Sequence, residues 1–223
     1  METDSLSLIV NPKKKTLKKG IMTKAKKKAL VKNTNIRKAT LEDTEAVFTV
    51  ASSVGASKKE AYNGFLMDNY ASSPRKFKKF FADKIKELEY FYIAESNGQP
   101  LGFLMGYTKE EWLKYNPEWI DDISWSPAFD MQKTENFVLT DKIATHAEFT
   151  GNGIGSKIYK QYMKDLAEDG IYNIFSETLV SPTPNFASLS FRKKQKFTLA
   201  GTRFEKYKGK IYTDLIYYKP VVR

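Results

Sequence analysis

The stretch "EFTGNGIGSKIY", residues 148–159, sets Gly151, Gly153 and Gly155 within five positions, directly ahead of a run that reads as helix. Glycines let backbone amides approach a ligand closely. A helix N-terminus adds partial positive charge, so the chemistry expected here is anion binding. The spacing excludes the Walker loop, G-x-x-x-x-G-K-[ST]. It comes near the dinucleotide fingerprint G-x-G-x-x-G, with Ser156 where glycine or alanine belongs. That fingerprint opens its domain at a first strand–helix turn, and too little chain follows Gly155 to complete such a fold. The plainer reading of the same glycines is a tight turn between a closely packed strand and helix.

The elements that must hold this loop follow from the pattern around it. "NIRKAT" (35–40) reads as a strand, and Thr40 with Asp43 as the capping box of a helix whose Val47, Val50, Ala51 and Val54 share a face. Ser57 with Glu60 reads as the start of a second helix, and Ser73-Pro74 as the start of a third with Phe77, Phe80, Phe81, Ile85 and Leu88 on its apolar stripe. Two strands joined at Asn97-Gly98 make a hairpin. A strand (137–147), the glycine loop, a helix stopped at Gly170, a strand, a helix and a closing hairpin complete the order. The expected fold class is α/β (α+β), a mixed central sheet flanked by helices.

Composition bounds the rest. The chain has 223 residues, 41% hydrophobic and 14% aromatic, which suits one domain with a full core. No apolar run approaches the ~20 residues of a membrane span, and no signal-peptide core follows Met1. The absence of cysteine excludes disulfides and cysteine metal sites and fits a cytoplasmic location, and the single histidine, His146, excludes a histidine-rich metal site. Most of the net charge of +11 sits in residues 1–34, where ten lysines face only Glu2 and Asp4. That segment reads as a disordered basic arm, able to meet nucleic acid or another anionic surface, or as a solvated tail with Met22 the true start.

With its neighbours, the loop resembles the acetyl-CoA loop of the GNAT superfamily of N-acetyltransferases, whose motif is Arg/Gln-x-x-Gly-x-Gly/Ala; Gly153, Ile154 and Gly155 fall on its last three positions. Further on, "NFASLSFRKKQKF" resembles that family's second motif through Asn185, Ser188, Phe191, Lys194 and Phe197, and "NIRKATLEDTEAV" resembles its opening strand and helix. The resemblance spans residues 35–220. It implies the acyl-CoA N-acyltransferase fold over 35–223, acetyl-CoA as co-substrate without a metal, and attack of an amine on the thioester. It also implies a cofactor site at Thr145, Thr150, Gly151, Asn152, Gly153, Ile154, Gly155, Ser156, Asn185 and Phe191.

Three positions depart from the family pattern. Thr150 replaces arginine or glutamine, Lys196 replaces the glycine of the "GF" ending, and Arg192 stands where many members carry a tyrosine that protonates the leaving thiolate. Arginine stays charged, so its expected use is to stabilise the thiolate or a CoA phosphate. An alkylammonium must first lose its proton, and the resemblance implies a base on the strand before the loop: Asp141, with His146 and Glu148 nearer the loop. Strand alternation sets Asp141 and His146 on opposite faces, and the resemblance favours Asp141, which lies where some small-amine members of the family carry glutamate.

Residues 109–136 interrupt the connection between strands and hold all three tryptophans, Trp112, Trp119 and Trp125, among many acids that include Asp121 and Asp122. The segment is expected to form an aromatic, acidic lid for a cationic amine acceptor. The competing expectation is a satellite core under a long loop. The function expected is acetyl transfer to a primary amine of a small molecule, peptide or protein, by a monomer or homodimer. The alternative is a non-catalytic acyl-CoA-binding domain tethered by the basic arm to nucleic acid or ribosome.

Overall fold

The computed structural model describes residues 23–54 and 62–221. The helix expected from Ser57 and the first part of the basic arm lie outside the described residues. One eight-stranded sheet runs through the molecule in the order β1-β2-β3-β5-β6-β8-β7-β4. Its strands are β1 (Asn35–Lys38), β2 (Tyr90–Ser96), β3 (Gln99–Thr108), β4 (Ile123–Trp125), β5 (Val138–Thr145), β6 (Asn173–Ser181), β7 (Thr198–Tyr207) and β8 (Lys210–Pro220). The helices are α1 (Lys24–Lys32), α2 (Thr44–Ser53), α3 (Pro74–Glu87), α4 (Lys109–Leu113), α5 (Ile154–Glu168) and α6 (Phe186–Lys194).

Each sheet face has its own core. On one, α5 buries Ile154, Ile158, Tyr162 and Leu166 against Tyr92, Leu104 and Val138. On the other, α2 and α3 bury Val47, Val50, Phe81 and Ile85 against Phe91, Phe103 and Met105. Strand alternation sorts these residues: Tyr92 and Leu104 face α5, Phe91 and Phe103 face α2 and α3. At the front, Asp43 accepts from the Thr40 amide at 2.8 Å, as the capping box requires.

Two expectations are corrected. The basic arm is not disordered through residue 34: Lys24–Lys32 is helical behind a Thr23 N-cap. Leu30 is buried in the α5 core and Lys157 donates to the Val31 carbonyl. One apolar pair, Leu30-Val31, suffices to dock this turn, which a count of lysines cannot reveal. Nor is 109–136 a free lid. Trp119 is fully buried among Phe137, Leu139, Phe175 and Ile216, with Trp112 and Trp125 packed edge-on against it. β4 adds a strand to the sheet beyond β7. The segment is a satellite core carrying one sheet edge.

Candidate active site

All neighbouring strands pair antiparallel except β5 and β6, which run parallel and touch only at Val138↔Ile174, Leu139↔Phe175 and Thr140↔Ser176. Beyond Thr140 and Ser176 the two strands part. A cavity of about 680 Å³ occupies the opening, reaching from the glycine loop to the carboxylates of β6, β7 and β8.

On the α5 side of the slit, Thr140 and Tyr159 hydroxyls bond at 2.8 Å, both fully buried. Beside them lies Arg192, only 3% exposed and lining the cavity. Its guanidinium sits over the Phe197 ring at 5.0 Å, and Nε and Nη1 have no hydrogen-bond partner among the described residues. Burial lowers the Arg192 pKa, while Tyr159 works against that shift. A buried cation with unused donors is costly unless something negative meets it.

The loop rims the same cavity. Gly151 and Gly153 take φ of +80° and +81°, a backbone that L side chains adopt only at a cost, with open space where a Cβ would stand. Gly155 lies under Phe191, whose ring a Cβ would meet at 3.2 Å. The first turn of α5 therefore presents its amides into the cavity mouth.

On the opposite side of the slit the lining is acidic. A β-bulge between β3 and β5 skips Asp141, so Met105 pairs Lys142 and Gly106 pairs Thr140. The extra residue turns Asp141 toward the α2–α3 side together with Lys142, which bonds it at 2.5 Å. Burial is the largest influence on the Lys142 pKa and lowers it, but Asp141, Tyr70 and Tyr107 together outweigh it and the net shift is upward. Across the slit Glu177 accepts from Trp119 Nε1 at 2.8 Å and from Arg203 at 3.2 Å, and burial raises its pKa. Asp68 accepts from Tyr207 at 3.0 Å and from Lys208, tying the β7–β8 turn to segment 62–68 over the cavity.

Asp214 is buried, and burial with Glu177 and Glu205 as like-charged neighbours pushes its pKa up to about 7, against the pull of Arg203. The folded state then keeps a proton that the unfolded chain gives up near pH 4. The contribution of this group to stability is present at low pH and is lost as pH rises from about 4 to 7. Asp214→Asn should remove that loss. Urea unfolding at about pH 5 and pH 8 should show the variant gaining on the wild type by roughly 2.5–3 kcal/mol at the higher pH. Equal gaps at both values would mean that Asp214 is ionised throughout.

The family model of the GNAT acetyltransferases matches residues 58–197. The chain belongs to the GNAT family. The N-acetyltransferase of Staphylococcus aureus Mu50 shares the fold at a TM-score of 0.56 and 19% identity, over 85% of this chain and 99% of that one. The PaiA N-acetyltransferase of Thermoplasma acidophilum, solved with coenzyme A, aligns at 0.55 and 19% over 84% and 98%. Ard1 of Thermoplasma volcanium aligns at 0.57 and 17% over 86% and 99%. No curated protein matches the sequence closely enough to count as a relative.

Acetyl-CoA is the co-substrate of this GNAT chain, and the residues fit an anionic cofactor: a glycine turn at a helix N-terminus suits a pyrophosphate, and Arg192 adds a buried positive charge to the same cavity. Of the expected cofactor residues, Thr145, Thr150, Gly151, Gly153, Ile154, Gly155, Ser156, Asn185 and Phe191 line the cavity. Asn152 does not; its amide staples the loop through the Phe149 and Thr150 carbonyls. Asn185 caps α6 through the Ser188 amide and reaches Phe65.

Asp141 and Arg192 reach the cavity, and His146 and Glu148 do not. His146 Nδ1 accepts from the Glu148 amide at 3.3 Å, capping the short turn Ala147–Phe149, and Glu148 is exposed. Both therefore sit on the turn before the glycine loop, outside the cavity lining. Asp121 and Asp122 of the expected lid are also absent from the lining, although Trp112 and Asn116 belong to it. The residues the sequence missed are Asp68, Glu177, Glu205 and Asp214. For Glu177 and Asp214 the one available signal was an acid inside an otherwise apolar strand, in "NIFSETLV" and "IYTDLIYY".

Among the described residues no group of His, Asp or Glu could hold a metal ion, and no helix is long and apolar enough to cross a membrane.

If the loop holds pyrophosphate on bare backbone, Gly153→Val should abolish most acetyl-CoA binding. A β-branched residue at φ +81° is strained, and its side chain fills the open space at the cavity rim. Ligand at about 100 times Kd stabilises a protein by about 2.7 kcal/mol. Thermal melts with and without acetyl-CoA should lose most of that shift in the variant. A shift as large as wild type would displace the cofactor from this loop.

Proposed function

We propose that this chain is an N-acetyltransferase that moves the acetyl group of acetyl-CoA to a primary amine of a cationic acceptor. The observation that carries the reading is the two-sided slit between β5 and β6. A glycine turn and a buried arginine flank it on the α5 side; on the other side lie the carboxylates of Asp141, Glu177, Glu205 and Asp214. Bound acetyl-CoA supplies an activated thioester. The acidic face attracts an ammonium and excludes anionic acceptors. Asp141, one residue past the last β5–β6 pair, takes the ammonium proton, directly or through water, with Lys142 holding its carboxylate in place. Arg192 offsets the negative charge that grows on sulfur as the C–S bond breaks, and water returns the proton.

Release of free thiol from acetyl-CoA against a panel of amines, alcohols and carboxylates tests this reading. Primary amines carrying positive charge should turn over fastest, with the amide product seen by mass spectrometry. Tight acetyl-CoA binding without thiol release for any acceptor would favour the non-catalytic domain instead.

A further inference from the structure

Away from the slit, lysines gather on the α5–α6 side of the sheet. α1 is their densest part: KAKKKALVK holds five lysines and no acid in nine residues. Lys24 and Lys28 stand four apart, as do Lys28 and Lys32, and like charges at that spacing destabilise a helix. The helix forms against this repulsion because Thr23 caps it, Leu30 is buried in the α5 core and Lys157 donates to the Val31 carbonyl. Lys26, Lys28 and Lys32 stay exposed, and none has an ion-pair partner among the described residues.

Bonds between elements carry this surface onward. Lys157 and Lys160, three positions apart, lie on one stripe of α5. Gln195, the C-cap of α6, donates to Ser156 Oγ at 2.9 Å. That bond sets the exposed Lys193, Lys194 and Lys196 beside the first turn of α5. Lys219 of β8 donates to the Gln195 carbonyl at 2.7 Å, and burial with the neighbouring Lys196 holds its pKa down. Among the described residues, the one ion pair on α1, α5 and α6 is the exposed Lys164–Glu168. Asp165 and Asp169 of α5 accept instead from the Tyr92 and Tyr90 hydroxyls. Elsewhere the lysines are answered: Lys78 by Glu45, Lys84 and Lys114 by Glu87, Lys208 by Asp68. A face of one sign built from several elements sums to a positive potential that an anionic partner relieves.

We propose that the face formed by α1, α5 and the end of α6 binds the phosphodiester backbone of a nucleic-acid duplex, independently of its sequence. Three features select this partner. Its exposed cations are lysines, point charges that suit phosphates and lack the planar fork that reads base edges. Among the described residues, α1 and α5 expose no large apolar or aromatic side chain. The face therefore offers neither a wedge for a bilayer nor a platform on which unpaired bases stack. Residues 1–22, which lead into α1, add five more lysines, so the charge extends along a polyanion rather than ending at one phosphate. The acceptor carboxylates lie on the other side of the slit, so a duplex held here leaves that side open. The proposal does not depend on which acceptor the enzyme acetylates.

The test follows the full chain, saturated with acetyl-CoA, as it binds a fluorescent DNA duplex of mixed sequence. Saturation puts the cofactor's own phosphates in place, so lysines that serve them are not counted. Anisotropy is read between about 50 and 200 mM salt, where about six phosphate contacts give a log–log slope of about −5. Two unrelated sequences should give the same slope. Lys28→Gln, Lys160→Gln and Lys193→Gln, combined in one variant, should reduce its magnitude by about 3 and weaken binding at least about tenfold. These side chains face solvent, so the melting temperature and its shift with acetyl-CoA should match wild type. A second variant changes the segment before α1: Lys13→Gln, Lys14→Gln, Lys15→Gln, Lys18→Gln and Lys19→Gln. Binding that is lost in the second variant and unchanged in the first overturns the proposal, since the contact then lies outside the folded face. Loss of duplex binding once acetyl-CoA is bound also overturns it, because the lysines then serve the cofactor. Tighter binding to phosphatidylserine vesicles than to the duplex, with the same lysine dependence, would make the partner a membrane and overturn it as well.

Discussion

Asp141→Asn is expected to lower kcat by a factor on the order of 10²–10⁴, the usual worth of general-base catalysis. Asparagine keeps the size and most of the hydrogen bonding of aspartate but cannot accept a proton near neutral pH. The position is specific. Asp141 is the extra residue of the bulge against β3, set immediately past Thr140, where the parallel pairing of β5 and β6 ends. Its substitution also leaves Lys142 without its 2.5 Å partner. Acetyl-CoA-induced thermal stabilisation is therefore measured alongside and should be retained, since the glycine loop is untouched. Wild-type kcat in Asp141→Asn across about pH 6–9 would hand the role to Glu177, which flanks the slit from β6.

Arg192→Met should cost about 10²–10³ in kcat, the range measured when one preorganised donor to a developing anion is removed. Methionine matches much of the volume and keeps contact with Phe191 and Phe197, the rings that flank the guanidinium at 5.8 and 5.0 Å. Because Nε and Nη1 have no partner, the variant should fold at least as stably as wild type. A drop in kcat without a drop in stability separates a role in transfer from a role in packing. Arg192→Lys should keep part of the activity, since charge survives without the planar fork. If Arg192→Tyr turns over faster than wild type, the site retains room for an acid at the tyrosine position of the family. Unchanged kcat in all three variants would remove this residue from the mechanism.

The sequence disclosed the half of the site that rests on local pattern. Glycine spacing ahead of a helix, the Asn185–Phe197 motif and the order of strands and helices are all short-range signals. Each lies on an observed element: the loop at the N-terminus of α5, and Asn185 as the N-cap of α6. The acceptor half was not legible, because it is assembled by register between distant strands. Glu177, Asp214 and Arg203 come from β6, β8 and β7 and meet only through their pairing. Alternation separated Asp141 from His146 along β5, but it carries no sign of the bulge at which Asp141 sits. Acids near tryptophan in 109–136 suggested a charged lid. Hydrophobic burial won instead, drawing Trp119 into a core beside Phe137 and Phe175 and leaving Asp122 on the outer side of Arg203. At Lys196 the chain builds a left-handed turn without glycine, at φ +58°, closing α6 through the Phe197 amide and the Arg192 carbonyl.

The measurement that bears most directly on this account is a crystal structure of the chain with acetyl-CoA bound. The account predicts pyrophosphate on the amides of residues 151–156 and the thioester sulfur in the slit past Thr140 and Ser176, within hydrogen-bond reach of Arg192 Nε or Nη1. It also predicts the acetyl group facing Asp141 on the far side. Acetyl-CoA bound elsewhere, or bound on the loop with its thioester outside the slit and Arg192 turned away, would contradict it.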